Sequence, residues 1–524
     1  MSKLAWKEID WTLVQKRLSR QQRRVYKASM KGNCQTVHAL QRRIIRSLDA
    51  KLLAVKLVTT KNTGHNIIRV ERAKELSHRK KIELTYGLKL NEKSKYIQNV
   101  YSTRVGTKKK ELKSLDIAII EDAAKQMLVK LALEPEWEAI FEPNSYGFRL
   151  GRSYHDAITG LTLSLREENR FVLDPHIHKY FEEINHDKLI TKLNTFDQMK
   201  NQIKAWLKVD IMVGLENESN EVNKILNGTL QKKIISPLLA NIALHGLENH
   251  IKNWYINSCY SISGCGNFKE KRDKKKVIGF SRYLNNFIIT APNYADILEI
   301  EKVVDKWLIK EVGLTLSKSK TNIVDSTSGF KFLGFQIISI KIAQNEEYKV
   351  KIRPSKESKL QIIKCTNKII QTNKSSSSYM LIAQLTYKII NWANYFCFGK
   401  CKKDFSEIDY IIFKQIRAWV FRRKSKGLQS RKELKEKYFP NGNIYTFRAN
   451  QYQNNWILTG SIKDKEGNIK QNFLPKMSWI GVNYPIRINN NVIIYNNHHL
   501  YGVKRKKTSK YSDFSNKVNK LIKI

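Results

Sequence analysis

The chain has 524 residues, enough for about two to four domains with sizeable hydrophobic cores. Lysine and arginine number 95 against 47 aspartates and glutamates, which gives a formal net charge of +48. Such a charge destabilises a compact protein unless a polyanion neutralises it, and the usual polyanion is nucleic acid. The sequence has no apolar stretch of about 18 residues. We therefore expect no membrane partner, and no motif indicates a small-molecule substrate.

Six cysteines are scattered through the chain without a CxxC pair, which excludes a recognisable zinc ribbon or disulfide framework. Cys397 and Cys401 lie four residues apart on a predicted helix and are interpreted as reduced thiols. The first residues lack the apolar core of a signal peptide. Heavy use of lysine, isoleucine and asparagine is typical of AT-rich genomes. We expect an organellar protein, a plastid one first, with a mitochondrion or the bacterial cytoplasm as alternatives.

Residues 1 to about 60 have the apolar periodicity of helices. From Trp11 onward the apolar residues fall on one helix face, and the basic run RQQRR at 20–24 falls on the other. Two interpretations remain: a solvated charged surface, or a basic arm that lies along RNA. We favour the RNA arm, with Arg20, Arg23 and Arg24 as its contacts.

The pattern between about 66 and 125 is weaker, and Lys108, Lys109 and Lys110 are interpreted as a turn between strands. A helix is predicted from Glu121 to Phe141, because apolar residues recur there at helical spacing and Pro143 follows.

The next segment, residues 145–153, combines glycines, aromatic rings and two arginines. Such a loop can approach a sugar-phosphate backbone closely and offer base stacking together with bidentate phosphate contacts. We therefore predict that Tyr146, Arg149 and Arg152 bind RNA.

Residues 280–291 read as two short strands joined by a tight turn at Asn285 and Asn286. Farther on, residues 357–424 are predicted to form a helical bundle with basic ridges that include Arg422 and Arg423. Its aromatic residues Trp392 and Tyr395 are interpreted as core residues first and as RNA-stacking residues second.

Several strings resemble one known family. The segment SYGFRLGRSYHDA at 145–157 is similar to the signature SYGFRPGRS…HDA of group II intron-encoded reverse transcriptases, also called maturases. Further strings resemble later motifs of that family in the family's order: ISPLLANIALHGLE at 235–248, FKFLGF at 330–335 and NWANYF at 391–396. The resemblance covers roughly residues 5 to 440, and the chain is identified as a member of this family.

The resemblance implies an α+β fold in which a right-hand polymerase, with an antiparallel palm sheet, precedes a helical thumb. It divides the chain into an N-terminal helical domain at 1–65, fingers and palm at 66–345, a thumb or maturase domain at 346–440, and a basic C-terminal tail at 441–524. Many relatives carry an HNH endonuclease in the last region, marked by paired cysteines and histidines. That pattern is not in this sequence, so we expect no strand cleavage by the protein.

The chain departs from the family at the positions that hold catalytic magnesium. The family's first metal motif reads approximately VLDADIKGCFDNIDH, whereas residues 172–186 read VLDPHIHKYFEEINH, which puts His176 at the aspartate position. The family's YADD is YLNN at 283–286, which puts Asn285 and Asn286 at the paired aspartates. Magnesium prefers anionic oxygen ligands. Asp174 is the nearest substitute, about 6.5 Å back along the strand.

Two nucleotide-gripping motifs also differ. GTLQKK at 228–233 places Lys232 and Lys233 at two family glycines, and KSLDIA at 113–118 replaces RPLGIP. Lys232 and Lys233 are predicted to add RNA contacts. The sequence therefore predicts a maturase that binds group II intron RNA, holds no cofactor of its own and meets Mg²⁺ through the RNA. The alternative is an active RNA-directed DNA polymerase. Homodimer formation is compatible with the sequence.

Overall fold

The computed structural model describes residues 5–60, 76–90, 109–166, 168, 170–178, 180–215, 234–263, 277–342, 348–399, 401–423, 430–463 and 467–481. Its described residues form two compact units. The first contains residues 5–164 and 171–323, and the second contains residues 165–170 and 324–481.

The first unit begins with helices, as predicted. Asp10 caps α1 by accepting hydrogen bonds from the backbone N–H groups of Thr12 (2.9 Å) and Leu13 (3.1 Å). Buried residues such as Val14 and Leu18 pack this helix against α5. The five helices are α1 (Trp11–Met30), α2 (Cys34–Arg46), α3 (Leu48–Thr59), α4 (His78–Gly87) and α5 (Lys109–Ile140).

Helix α5 is longer than the sequence predicted. Its last turn ends at Ile140, close to the predicted Phe141. Its first turn, however, contains Lys109 and Lys110, so the prediction of a turn between strands there is wrong. The run before Pro135 contains neither glycine nor another proline and is rich in lysine, leucine, glutamate and alanine, all strong helix formers.

A four-stranded sheet with the order β2-β3-β1-β4 forms the centre of the first unit. Strand β3 pairs antiparallel with both β2 and β1. The side chains of Leu173, Phe287 and Ile289 are buried and join the main hydrophobic core of this unit. The strands are β1 (Phe171–Asp174), β2 (Gly279–Tyr283), β3 (Asn286–Ala291) and β4 (Asn322–Asp325).

The described part of the first unit contains seven further helices. They are α6 (Tyr154–Ser164), α7 (Tyr180–Glu183), α8 (His186–Leu193), α9 (Asp197–Leu215), α10 (Ser236–Ala243), α11 (Leu247–Ser263) and α12 (Tyr294–Trp307), and a π-helical turn (Leu308–Val312) follows α12. Of these helices, α6 packs against β2, and α12 packs against β1 and β3.

The second unit contains the predicted helical bundle. The polar run at 373–377 connects two helices, and Ser377 caps the second of them through the N–H of Met380. Its first elements are β5 (Phe330–Phe332), β6 (Phe335–Lys341), β7 (Tyr348–Pro354), α13 (Lys356–Thr372), α14 (Ser378–Phe396), α15 (Lys402–Phe421) and α16 (Arg431–Tyr438).

Residues 441–481 form two β-hairpins where the sequence predicted a tail. They consist of β8 (Ile444–Phe447) with β9 (Asn450–Gln453), and β10 (Thr459–Lys463) with β11 (Ile469–Phe473). The first hairpin turns at Arg448 (φ 53°) and Ala449 (φ 66°). Arginine and alanine rarely adopt this left-handed conformation. The usual sequence signal for such a turn is Asn-Gly, which these two residues do not provide.

Helices combined with antiparallel sheets confirm the α+β class. Within the described ranges, each helix is too short or too polar to cross a bilayer.

Candidate functional site

The predicted hairpin is present, but its turn is shifted by one residue. Tyr283 pairs with Asn286, so Leu284 and Asn285 form the two-residue turn and Asn286 begins β3. The prediction that Asn285 and Asn286 both occupy the turn is therefore wrong. Buried cross-strand pairs such as Phe280 with Ile289 set this register, because a shift of one residue would turn the buried side chains to the other face.

Strand β1 brings His176 to the same end of the sheet as this turn. Leu173 pairs with Ile289 in an antiparallel register, so β1 ends beside the beginning of β3. His176 follows two residues after the end of β1 and is exposed. Its backbone N–H donates to Thr321 Oγ1 (3.2 Å), and its carbonyl accepts from the N–H of Ser317 (2.8 Å). The three positions singled out by the sequence therefore share one end of the sheet.

The three positions that share this end of the sheet supply no carboxylate. Partial burial lowers the pKa of His176, and electrostatic interactions with Lys320 and His178 lower it further, which favours the neutral imidazole. Asn285 and Asn286 are neutral amides. Asp174 is half-buried, and this burial raises its pKa to about 6. In the described ranges no three His, Cys, Asp or Glu side chains are grouped so as to hold a metal ion.

The loop that contains the SYGFR string supports the hairpin from one side. Ser145 forms an isolated parallel bridge with Arg282. The N–H of Tyr146 donates to the carbonyl of Arg282 (2.8 Å), and the N–H of Arg282 donates to the carbonyl of Asn144 (2.9 Å). A β-carbon on Gly147 would lie 2.4 Å from the backbone nitrogen of Leu284. Residue 147 must therefore be glycine for the hairpin turn to pack so closely.

Arg149 fixes this loop from inside the protein and does not face solvent. Its side chain is 6% exposed. Its Nη2 donates to Glu138 Oε2 (3.0 Å), and its Nη1 donates to the carbonyls of Glu142 (2.7 Å) and Ser145 (2.6 Å). These protein contacts occupy the guanidinium for which we predicted a phosphate contact. The sequence alone does not show which residue pairs with Arg149.

Tyr146 is also inside the protein. It is 4% exposed, and its hydroxyl donates to Asn144 Oδ1 (3.1 Å). Burial raises the pKa of Tyr146 to about 12. The base-stacking role that we predicted for it does not fit this position. Arg152 is half-buried, so its guanidinium lies closer to solvent than that of Arg149.

A buried arginine directly precedes the YLNN string, and the sequence analysis missed it. The Arg282 side chain is fully buried, and its Nη1 donates to Asn241 Oδ1 (3.3 Å) and to the carbonyl of Leu284 (3.4 Å). Burial lowers the pKa of Arg282, and the nearby carboxylate of Glu142 opposes that shift. The hairpin thus rests on a polar network as well as on its apolar core. The sequence feature that could have revealed this network is the presence of an arginine between the apolar residues of the two strands.

The N-terminal helices carry exposed arginines. On α1, Arg20 and Arg24 are exposed and Arg23 is half-buried, as expected for a face opposite the core. Helix α2 adds a basic cavity of about 530 Å³ that the sequence analysis missed. The spacing i, i+1, i+4 along the helix could have revealed its three arginines, which are Arg42, Arg43 and Arg46.

In the second unit, both predicted aromatics make protein contacts. Trp392 packs against Phe396, with ring centroids 4.5 Å apart. The Tyr395 hydroxyl donates to the carbonyl of Leu333 (3.0 Å), and its ring stacks on Phe335. Both residues are half-buried, so their interpretations as core residues first and RNA-stacking residues second stay predictions.

The two predicted arginines of this unit differ. Arg423 Nη2 donates to the carbonyl of Lys374 (2.9 Å), and its guanidinium lies 3.8 Å from the centre of the Trp419 ring, whereas Arg422 is exposed. Arg423 is half-buried and has protein partners, and its RNA contact stays a prediction. Lys232 and Lys233 lie outside the described residues.

Three family models match the chain in succession. The N-terminal domain of reverse transcriptase matches residues 6–88. Reverse transcriptase (RNA-dependent DNA polymerase) matches residues 108–337, and the group II intron, maturase-specific domain matches residues 362–439.

Similar proteins come from bacteria and from Euglena. Maturase-like protein 1 of Euglena gracilis is 25% identical over 408 residues, which are 77% of this chain and 79% of that protein. Protein YkfC of Escherichia coli is 27% identical over 44% of this chain and 64% of its own length. The group II intron-encoded protein LtrA of Lactococcus lactis is 26% identical over 46% of each chain. The alignments thus span less than two thirds of the last two relatives.

Proposed function

Since the chain belongs to the group II intron reverse transcriptase and maturase family, we propose that it is an RNA-binding maturase that assists the splicing of a group II intron and has lost polymerase activity. In this proposal the first unit supplies fingers and palm, and the second unit supplies the thumb. The intron RNA performs the chemistry with its own Mg²⁺. The composition typical of AT-rich genomes favours an organelle, a plastid first.

One observation carries the proposal. His176, Asn285 and Asn286 share the end of the sheet where the family's metal-holding aspartates belong, and none of them supplies a carboxylate. Two-metal catalysis needs anionic ligands that balance two divalent cations. Among neighbouring charges, the cation Lys320 has the largest effect on the pKa of His176. The hairpin itself is well packed, so the substitutions remove chemistry without removing the fold.

Asp174 favours a second candidate function, an active RNA-directed DNA polymerase. It lies at the end of β1, and its carboxylate is the acidic group closest in sequence to the lost position. However, strand residues two apart are displaced by about 6.5 Å. A single displaced carboxylate would have to replace the three carboxylates of the family's metal site. We therefore rank this candidate second.

RNA binding would come from the exposed cations. Arg20 and Arg24 on α1, together with the α2 arginines, form a surface that can release counterions from RNA phosphates. Binding that is tighter to the folded intron than to misfolded forms would shift the RNA toward its splicing-competent state. No chemistry by the protein is required for that effect.

Two experiments test the proposal. In a strain that lacks the gene, splicing of every group II intron is measured by RNA sequencing, and the gene is then restored as wild type or as the Asn285→Ala, Asn286→Ala double variant. We expect at least one intron to lose splicing and both restored genes to recover it. Unaffected splicing of all introns would refute the maturase proposal. Failure of the double variant alone would show that the turn has acquired another role.

The second experiment is primer extension on an RNA template with Mg²⁺ or Mn²⁺. We expect no cDNA from the wild-type protein. Robust cDNA synthesis that disappears in the Asp174→Asn variant would establish the second candidate instead.

A further inference from the structure

The second unit contains a cleft of about 500 Å³ that none of the predicted RNA contacts explains. This size is within the range of about 300–1,000 Å³ that is typical of ligand sites. One wall is helix α15, and the other is formed by the segments around residues 456 and 476. The residues that matter for its chemistry are Asp409, Tyr410, Phe413, Arg417, Trp456 and Lys476.

The cleft has a fixed shape because Asp409 joins its two walls. Its carboxylate accepts hydrogen bonds from the backbone N–H groups of Met477 (2.9 Å) and Ser478 (3.0 Å). Burial raises the pKa of Asp409, while these two hydrogen bonds favour its charged form. Helix α15 and the segment 476–478 are thus connected by a residue that lines the cleft.

Aromatic rings line this cleft at accessible positions. Trp456 is half-buried, and its ring makes an edge contact with Phe413, with centroids 5.7 Å apart. Its backbone has φ of 65°, a left-handed conformation that is rare for a bulky residue. Such strained positions often belong to binding sites. Tyr410 is 58% exposed, so its ring is accessible from solvent.

Cations accompany both rings. Lys414 Nζ lies 4.5 Å from the centre of the Tyr410 ring, and Lys435 Nζ lies 4.7 Å from the centre of the Trp456 ring. Arg417 is exposed, and Lys476 is half-buried at the edge of the cleft. Proteins that bind single-stranded nucleic acid combine these two features, because bases stack on aromatic rings while cations follow the backbone.

We propose that this cleft binds one unpaired nucleotide of single-stranded RNA, with its base against Tyr410 and Trp456 and its phosphates near Arg417 and Lys476. The inference rests on the proposed function and specifies one contact that the maturase makes with its RNA. An acidic peptide would use the cations but not the rings. The aromatic wall therefore favours a nucleotide over a protein partner.

The test separates stacking from charge by using two probes and the full-length protein. Binding of fluorescein-labelled hexaadenylate and of an abasic ribose-phosphate oligomer of the same length is measured by fluorescence anisotropy. We expect Tyr410→Ala to weaken hexaadenylate binding about tenfold and to leave binding of the abasic oligomer unchanged, because only the hexaadenylate has bases that can stack on the ring.

Two further variants control this result. Tyr410→Phe keeps the ring and should bind hexaadenylate as tightly as the wild type does. Tyr387→Ala removes a partly exposed tyrosine of the same unit, 38% exposed and also accompanied by a lysine, but outside the cleft lining. Tyr387→Ala should leave the binding of both probes unchanged. A hexadeoxyadenylate probe distinguishes RNA from single-stranded DNA as the source of the base, and we expect it to bind more weakly.

Three outcomes would overturn the inference: equal affinities of wild type and Tyr410→Ala for hexaadenylate, a loss that is equal for both probes, or tighter binding of the DNA probe. Splicing keeps this failure distinct from that of the proposed function. If splicing depends on the protein but Tyr410 has no effect on base binding, only the inference about the cleft is wrong. If base binding depends on Tyr410 but no intron needs the protein for splicing, only the proposed maturase function is wrong.

Discussion

Gly147 lies against the backbone of Leu284 so closely that a β-carbon at residue 147 would be 2.4 Å from the Leu284 nitrogen. Real β-carbons do not approach a backbone nitrogen to that distance. The glycine of the SYGFR string is therefore explained by the packing of the YLNN turn, with no need for an RNA contact at that residue.

We predict that Gly147→Ala destabilises the protein by about 1–3 kcal/mol, because either the loop or the hairpin must move to admit the methyl group. The free energy of unfolding is measured by urea denaturation. Gly87→Ala is the matched control, since a β-carbon there would meet no atom within 4 Å. Equal stability of the two variants would show that the contact is easily relaxed.

We predict that Arg149→Ala destabilises the protein by about 3–5 kcal/mol, because it leaves the buried carboxylate of Glu138 without its partner. Arg149→Lys should recover only part of that loss, since lysine cannot reproduce the forked contacts of the guanidinium. Thermal unfolding gives the measurement. If Arg149→Ala kept wild-type stability and lost RNA binding instead, the arginine would be an RNA contact after all.

The exposed arginines of α1 should behave in the opposite way. The double variant Arg20→Gln, Arg24→Gln should unfold like the wild type but bind intron RNA more weakly, with a salt dependence reduced by about one unit of slope per lost phosphate contact. Binding is measured across a series of KCl concentrations. Lys302→Gln, Lys306→Gln removes the same charge from exposed positions on α12 and serves as the control. Identical slopes for both double variants would mean that only total charge matters.

The buried Glu134 should make stability depend on pH. Burial raises its pKa to about 7, so between about pH 4.5 and 7 the folded protein keeps a proton that the unfolded chain has lost. This group therefore lowers stability as pH rises through that window, and its effect is constant above it. We predict that Glu134→Gln is neutral at pH 4 and stabilises the protein at pH 8 by up to about 3 kcal/mol.

Chemical denaturation at the two pH values measures this difference. The variant Glu299→Gln, at an exposed position on α12, is the control. A Glu134→Gln effect of equal size at both pH values would show that the carboxyl group does not titrate in this range.

The sequence predicted the helices of the N-terminus, the hairpin and the helical bundle because each has a clear apolar periodicity. It failed where long-range contacts decide the outcome. Arg149 and Tyr146 had the composition of an RNA-binding loop. The sequence did not show that Arg149 pairs with Glu138, or that Tyr146 packs on the hairpin strands, which lie far away in the chain. The turn of the hairpin was displaced by one residue because the register is set by packing and not by the asparagines themselves.

The left-handed conformation of Leu284 has a consequence for how the hairpin forms. A leucine adopts this conformation at a cost of about 1–2 kcal/mol, so a peptide of residues 279–291 alone should not hold the turn. The surface that imposes it, residues 144–147, leaves the ribosome more than a hundred residues earlier. The segment against which the hairpin turn packs, residues 144–147, has therefore already been synthesised when the hairpin strands emerge.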